Sequence, residues 1–373
     1  MIIDLHCHYT FTRRPQATSE RFSFEPLHDG GQSTGDAVCP TSFDSCVAPR
    51  ALHRLSWRLA RRYLHLPPPG DALDHHLERV YLEHLTVDGP IERFVLLAFD
   101  AVHDDDGRCT PLPDPGNKLG SDIYTSNSLI RDMCQRYPDR FLFGASVHPY
   151  RTNAVACVRE VFAAGACLLK WLPLHHNIDV SDPRAVAVLR LCHELGLPIL
   201  VHCGDEFSLR AQRRAYRSVR PLLDVLQRLH RDGCMPCTIV AHAATPATPL
   251  GDHDSHRALL AALTGHFADA PLYADVSALA SWAKARFLKR LARRQDLHAK
   301  LLFGSDFPIP PAVWRFRRQL GSDHARVARV QSWPQRAALA CQFLGLNDVV
   351  FHRAAELLPN IGFFNSRSPE PSA

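Results

Sequence analysis

The chain has 373 residues, of which 46% are hydrophobic and 22% are charged, an ordinary globular composition that can fill a large core. Its formal net charge of +5 is small and spread along the chain. Charge alone therefore does not decide whether the partner is a nucleic acid or an acidic small molecule. No run reaches the roughly 18 apolar residues that cross a bilayer, and the first residues indicate a strand rather than a signal peptide.

The twelve cysteines are scattered through apparent strands and helices, which is typical of buried, reduced thiols. Cys234 and Cys237 form a lone C-x-x-C before a predicted strand. A structural zinc site normally needs a second pair of ligands, so we interpret this motif as structural. These features together predict a cytoplasmic protein.

Short apolar runs typical of buried parallel strands recur along the chain, with helical patterns between them. The eight runs are residues 1–8, 93–100, 141–148, 167–172, 198–204, 237–243, 272–279 and 301–308. The helical patterns are residues 71–86, 121–137, 153–164, 182–195, 218–231, 255–267 and 283–298. Eight strands that alternate with helices predict an α/β fold of the (β/α)8 TIM-barrel type.

Two regions fall outside this alternation. Residues 10–70 follow the first strand and are rich in Pro, Ser, Thr, Gly and Arg. Because they leave the C-terminal mouth of the barrel, they form either a cap over the site or a peripheral excursion. Residues 309–365 carry two further helical patterns, 335–344 and 348–358, which should pack on the outside of the barrel. We expect residues 1–365 to form one domain and residues 366–373 to be a frayed tail.

Polar residues stand at the ends of several predicted strands, where a closed barrel should be apolar. They are His6 and His8 on the first strand, Lys170 on the fourth, His202 on the fifth, His242 on the sixth and Asp306 on the eighth. Residues two apart in a strand point the same way, so His6 and His8 project from one face. Active sites of these barrels form at the C-terminal ends of the strands, so all six side chains should meet at one mouth. Imidazole and carboxylate groups there would suit a divalent ion such as zinc.

At this point the chain resembles the amidohydrolase superfamily of metal-dependent hydrolases. The resemblance rests on His6-x-His8, Lys170, His202, His242 and Asp306. Asn127, the segments 137–141 and 301–306, and a closing helix that ends near Asn360 are similar to the amidohydrolase-related branch, which also contains decarboxylases.

The resemblance implies that His6, His8, His202 and Asp306 surround one divalent ion, for which we expect zinc, with manganese as the alternative. In two-metal members a carboxylated lysine of strand four bridges the ions and a histidine of strand six binds the second. Lys170 and His242 would take these roles. In one-metal relatives the lysine is unmodified, and His242 would polarise the substrate or carry a proton. The sequence leaves both arrangements open.

A divalent ion lowers the pKa of bound water to about 7. Asp306 would accept the proton of this water and pass it to the leaving group, while His242 or a second ion polarises the attacked carbonyl. The predicted activity is therefore hydrolysis of a small cyclic amide, lactone or ester. The alternative is a metal-dependent, non-hydrolytic decarboxylation of an aromatic or enoic acid.

Candidate substrate-binding residues lie near the predicted mouth. Glu206, four residues after His202, either reaches the substrate and its ligands or faces solvent. Trp171, just past the fourth strand, either lines an apolar pocket or belongs to the core. Arg151 is one of several loop arginines that would favour a carboxylate-bearing substrate if they faced the site.

We expect a small-molecule substrate, and neither nucleic acid nor a membrane as a partner. A nuclease of the TatD type shares the barrel and the His-x-His motif, but it uses a carboxylate where strand four offers Lys170. A metal-free barrel kept as a binding protein is disfavoured by the full set of ligand residues. Barrels of this type often pair through outer helices, so a homo-oligomer is a further expectation.

Overall fold

The structure is a computed structural model that describes residues 1–17, 20–26, 39–63, 66–68, 71–113, 120–205, 208–248 and 251–365. Its strands in chain order, β1 to β11, are Ile3–His8, Arg13–Pro15, Phe43–Val47, Arg93–Leu97, Ile123–Thr125, Phe141–Ala145, Ala166–Trp171, Ile199–Val201, Thr238–Val240, Leu272–Asp275 and Leu301–Leu302. Eight of them form one parallel sheet in the order β1-β4-β6-β7-β8-β9-β10-β11. These are the eight predicted strands, so the predicted α/β alternation is confirmed.

The sheet curls round because the chain after β11 pairs with β1. The carbonyl of Phe307 accepts the N–H of His8 at 2.9 Å, and the carbonyl of His6 accepts the N–H of Asp306 at 2.9 Å. Cys7 and Phe307 form a parallel bridge. The last strand therefore returns to the first, and the C-terminal ends of β1 and β11 lie side by side.

The α-helices in the described part of the chain, α1 to α14, are Pro49–Leu52, Leu55–Tyr63, Asp71–Leu85, Asn127–Arg136, Ala154–Ala163, Pro173–His176, Pro183–Leu195, Arg220–Arg231, Asp254–Thr264, Ala285–Leu291, Arg317–Leu320, His324–Ala328, Trp333–Phe343 and Asp348–Leu357. Local signals explain several of their ends. Asp182 caps α7 by accepting the N–H of Arg184, and Gly196 ends it with a left-handed φ of 62°. None of these helices combines the length and the apolarity of a membrane span.

The helix predicted over residues 121–137 begins later than expected. Ile123–Thr125 form β5, and α4 starts only after Ser126, whose hydroxyl accepts the N–H of Leu129. β5 pairs antiparallel with β3, and β3 with β2, in a three-stranded sheet beside the barrel. A three-residue strand paired with distant residues carries no periodic signal, which is why the prediction was wrong here. The predicted helix 283–298 is likewise divided, into α10 and a 3-10 helix at Gln295–Lys300.

A bulge in β1 turns the histidine motif towards the interior. Ile3 and Leu5 belong to the apolar cluster that fills the barrel, together with side chains from β4, from β6 to β11 and from α14. The register of β1 against β4 then shifts between Asp4 and Cys7. Such a bulge changes which face the following side chains occupy. Before the bulge, the odd-numbered residues 3 and 5 face the interior of the barrel. After it, the even-numbered residues 6 and 8 do.

Residues that follow β1 pack against loops at the C-terminal end of the barrel. A buried apolar cluster joins β3 and α1 to the segments that follow β4, β7 and β8, and its members are Val47, Ala51, Leu52, Phe99, Ile123, Leu172 and Leu209. Farther along, α14 contacts β1 and β11. The expected tail, residues 366–373, lies outside the described residues.

Candidate active site

Three side chains from β1 and from the loop after β11 converge at the mouth of the barrel. The Oδ1 atom of Asp306 lies 3.0 Å from Nε2 of His8 and 3.4 Å from Nε2 of His6. The side chains of His6 and Asp306 are buried, and His8 is partly exposed. Ligand atoms of the three residues lie within 4.8 Å of one another.

Backbone contacts determine where the carboxylate of Asp306 stands. Asp306 has a left-handed φ of 63°, which residues other than glycine rarely adopt. Its N–H donates to the carbonyl of His6 at 2.9 Å. The buried carboxylate of Asp4 accepts the N–H groups of His6 and Ser305 at 3.2 and 2.9 Å. The loop after β11 is therefore tied to the strand that carries the histidines.

A second carboxylate, that of Asp275 at the end of β10, forms hydrogen bonds with two of the histidines. Its Oδ2 atom accepts a hydrogen bond from Nδ1 of His6 at 2.8 Å. Its Oδ1 atom accepts the N–H groups of His242 at 2.7 Å and Ser277 at 3.0 Å, and also the hydroxyl of Ser277. Because Nδ1 of His6 donates to a carboxylate, its Nε2 atom presents a lone pair to the site.

His242 is oriented by the same network. Its Nδ1 atom lies 3.1 Å from the carbonyl of Ser277 and 2.7 Å from the Ser277 hydroxyl oxygen. A carbonyl only accepts, so we assign the ring proton to Nδ1 and the lone pair to Nε2. Nε2 faces Oδ2 of Asp306 across 3.9 Å. Two proton acceptors thus face each other at the mouth.

Lys170 and His202 complete the group predicted from the strand ends. Nζ of Lys170, on β7, lies 3.2 Å from Nε2 of His6, and the side chain is buried. The rings of His202 and His242 are 5.1 Å apart, and His202 is also buried. All six side chains therefore lie in one connected cluster, as the strand-end rule predicts.

Burial and opposite charges shift the pKa values of these groups. Burial alone would raise the pKa of Asp306, but attraction from His242 and His6 outweighs it and holds the pKa well below the usual carboxyl range. The pKa of Asp275 is also low, because its attraction to His6 exceeds the effect of burial. Burial lowers the pKa of His8 and of His242. The low pKa values keep Asp306 and Asp275 ionised at neutral pH, and the lowered pKa values of His8 and His242 favour the neutral ring, the form that binds a divalent ion.

The spacing of the first three ligand atoms fits one divalent ion. Two ligands of a tetrahedral zinc ion, with bonds of about 2.0–2.1 Å, lie roughly 3.3 Å apart. The distances of 3.0 and 3.4 Å from Asp306 Oδ1 to the two histidine nitrogens agree with this value. His6, His242 and Asp275 form another group with metal-like spacing in the described chain. Both oxygens of Asp275 already accept hydrogen bonds, so we interpret that group as support for the first.

The predicted substrate-binding residues do not form an open pocket wall. Trp171 is entirely buried, and its indole N–H donates to the carbonyl of Val147 at 2.8 Å, so it is a core residue. The guanidinium of Arg151 binds the buried carboxylate of Asp100 through two hydrogen bonds of 2.7 and 2.6 Å. That fork is occupied inside the protein, which corrects its assignment to a substrate. Glu206 lies outside the described residues.

Sequence reasoning also missed the contacts on the other side of His8. The ring of Phe99, which follows β4, stacks on the ring of His8 with centroids 4.8 Å apart. The next residue, Asp100, accepts the N–H of His148 at 2.6 Å in addition to its pair with Arg151. An apolar ring therefore packs against His8, and the residue after it in the chain belongs to a buried ion pair.

Comparison with known proteins supports the fold and the family. A family model described as amidohydrolase matches residues 113–339. The chain belongs to the amidohydrolase family. No curated protein matches the chain.

Three similar solved structures each share less than a fifth of their sequence with this chain. An uncharacterized TIM-barrel protein from Bordetella bronchiseptica is 15% identical with a TM-score of 0.52, covering 98% of this chain and 99% of its own. A probable 2-pyrone-4,6-dicarboxylic acid hydrolase from Acinetobacter baumannii is 13% identical with a TM-score of 0.45, covering 94% and 98%. A 2,6-dihydroxybenzoate decarboxylase from Rhizobium is 13% identical with a TM-score of 0.40, covering 75% and 94%. The first of these shows the barrel fold of the chain, and none decides its reaction.

Proposed function

We propose that this protein is a metal-dependent hydrolase that acts on a small cyclic amide, lactone or ester. The observation that carries the proposal is the convergence of Nε2 of His6 and of His8 on Oδ1 of Asp306, at 3.4 and 3.0 Å. These residues would hold one divalent ion, with zinc as the expected metal and His202 as a fourth ligand. When bound, the ion supplies the Lewis acidity that lets water attack an acyl carbon near neutral pH.

The residues of the chain would handle the protons of this reaction. Nε2 of His242 and Oδ2 of Asp306 are both proton acceptors and lie 3.9 Å apart. A water molecule near these two atoms could give its proton to either of them, and the protonated group would return it to the leaving group. Asp275 and Ser277 keep His242 in the tautomer that this role requires, because they bind its backbone N–H and its Nδ1 atom.

One specific feature keeps decarboxylation as the second candidate function. The carboxylate of Asp275 is fully used by hydrogen bonds, and Nζ of Lys170 lies 3.2 Å from Nε2 of His6. Ligands for one ion are thus better supported than ligands for two, and a one-ion site also suits a decarboxylase of an aromatic or enoic acid. Hydrolysis is favoured because His242 and the second carboxylate oxygen of Asp306 are both proton acceptors that could activate water.

We also propose that residues 1–365 form one domain in which residues 10–70 cap the mouth of the barrel. The buried cluster of Val47, Ala51 and Leu52 with Phe99 supports this, because Phe99 stacks on His8. A second anchor is Glu25, whose buried carboxylate accepts N–H groups at the start of α4. Such a cap would exclude water from the reacting groups.

The experiment that tests the function is a product screen with zinc-loaded enzyme. The panel contains lactones, cyclic amides and esters on one side, and aromatic and enoic acids on the other. We expect acid release without carbon dioxide, and we expect Asp306→Asn to abolish it. Release of carbon dioxide from an acid of the second set, lost in the same variant, would make the enzyme a decarboxylase instead.

A further inference from the structure

Two cysteines outside the metal site lie side by side. The Sγ atoms of Cys39 and Cys109 are 4.0 Å apart, although 70 positions separate them in the sequence. Cys39 directly precedes the 3-10 helix Pro40–Ser42 that leads into β3, and Cys109 lies in the segment between β4 and β5. A disulfide has an S–S distance of about 2.05 Å, so side-chain movements totalling roughly 2 Å would join the two sulfurs.

Reagents in solution can reach this pair. The structure describes all twelve cysteines, and eight of them are buried. Cys109 is exposed, and Cys39 is partly exposed along with Cys234 and Cys237. Exposure and thiolate character together decide which thiols react first, so this pair meets the first condition.

A hydroxyl group and a second thiol lie beside the sulfur of Cys39. Its Sγ atom lies 2.8 Å from the hydroxyl oxygen of Thr41. A hydroxyl that donates to sulfur stabilises the ionised form. The hydrogen bond with Cys39 also raises the pKa of Cys109. Cys109 is therefore the thiol that reacts second.

A metal-binding role for the same pair is disfavoured. In the described chain, neither cysteine belongs to a group of three His, Cys, Asp or Glu ligands with metal-like spacing. Cys46, on the neighbouring β3, is buried, and its sulfur lies 3.9 Å from the carbonyl of Pro40. A structural zinc site needs four ligands, whereas a disulfide needs only two sulfurs.

We propose that Cys39 and Cys109 form a redox-modification site that closes a disulfide on reaction with a small-molecule disulfide. The Cys39 thiolate attacks one sulfur of the reagent, and one half of the reagent leaves as a thiolate. Cys109 then loses its proton and attacks the Cys39 sulfur, which releases the second half. The two protein thiols lose two electrons and two protons in total, and the reagent is reduced to two thiols.

The disulfide would join the residues just before β3 to the segment between β4 and β5. That segment begins beside Phe99, whose ring stacks on His8. Closing a loop of this length also restricts the unfolded chain. The oxidised protein should therefore unfold at a temperature a few degrees higher than the reduced protein.

The test incubates the folded, full-length protein with oxidised glutathione under native conditions. We expect the loss of two titratable thiols, an intact mass lower by about 2 Da and a peptide in which Cys39 is linked to Cys109. The unfolding temperature should rise, and a dithiol reductant should reverse all of these changes. Retention of every thiol under these conditions would overturn the proposal.

Variants identify the pair directly. Cys39→Ser and Cys109→Ser should each stop at a mixed disulfide, seen as one glutathione adduct on the remaining cysteine with no rise in unfolding temperature. Cys234→Ser is the matched control, because it removes another partly exposed thiol and should leave the cross-link intact. A cross-link through Cys46 or Cys237 in the wild-type protein would also refute the assignment.

Discussion

Replacing Asp275 by Asn removes the charge behind His6 while it keeps the shape of the side chain. The carboxylate accepts three N–H groups, from Nδ1 of His6 at 2.8 Å, from His242 at 2.7 Å and from Ser277 at 3.0 Å. Whichever way the Asn amide turns, its NH2 group must face at least one of these donors. Losing a charge-assisted hydrogen bond in this way costs about 1.5–3 kcal/mol, which corresponds to roughly 10- to 150-fold in zinc affinity.

The assay is zinc affinity at neutral pH, measured by competition with a chelator of known strength. Asp269→Asn is the matched control, because it removes an exposed carboxylate just before β10 and should bind zinc like the wild-type enzyme. Circular dichroism and the unfolding temperature establish that both variants are folded. A folded Asp275→Asn variant with unchanged zinc affinity would refute the assignment of Asp275 as the residue that orients His6.

Three further substitutions probe the site and its wall. Lys170→Met removes an amine 3.2 Å from Nε2 of His6. Because a positive charge near the zinc ion is removed, zinc affinity should rise by about tenfold. A fall in zinc affinity would mean that Lys170 is a carboxylated ligand. His242→Ala should lower turnover by about 10²- to 10⁴-fold at unchanged zinc content, and loss of zinc in this variant would make His242 a ligand. Asp100→Asn leaves Arg151 buried without its carboxylate partner, so urea denaturation should show a loss of about 3–5 kcal/mol. Burial would raise the pKa of Asp100, but Arg151 lowers it below the usual carboxyl range, so this stabilisation is complete above about pH 4 and is lost only as the pH falls through the folded-state pKa. A variant as stable as wild type at neutral pH would contradict this account of the ion pair.

The barrel and the six-residue cluster were predictable because both follow from local pattern and one topological rule. Buried parallel strands give short apolar runs, and their C-terminal ends share one mouth. The same rule could have found Asp275, which is polar and stands within the predicted strand 272–279. The network it forms with Ser277 and two histidines was not predictable, because hydrogen-bond direction depends on ring orientation rather than on spacing.

The substrate-side predictions were less successful for a physical reason. Arg151 is paired with Asp100, 51 positions away, and nothing in the local sequence of either residue indicates the other. Trp171 and Lys170 are neighbours on β7, and strand alternation turns one of them to the interior and the other to the surrounding core. The bulge in β1 likewise has no sequence signature, although it decides which way His6 and His8 point.

The most direct test of the central claim is the metal content of each chain in protein purified without chelators, with the intact mass recorded under native conditions. The geometry of His6, His8 and Asp306 predicts one divalent ion per chain. Two ions with the added mass of one carbon dioxide would contradict the one-ion site. Absence of any bound metal after incubation with zinc and manganese would contradict metal-dependent catalysis itself.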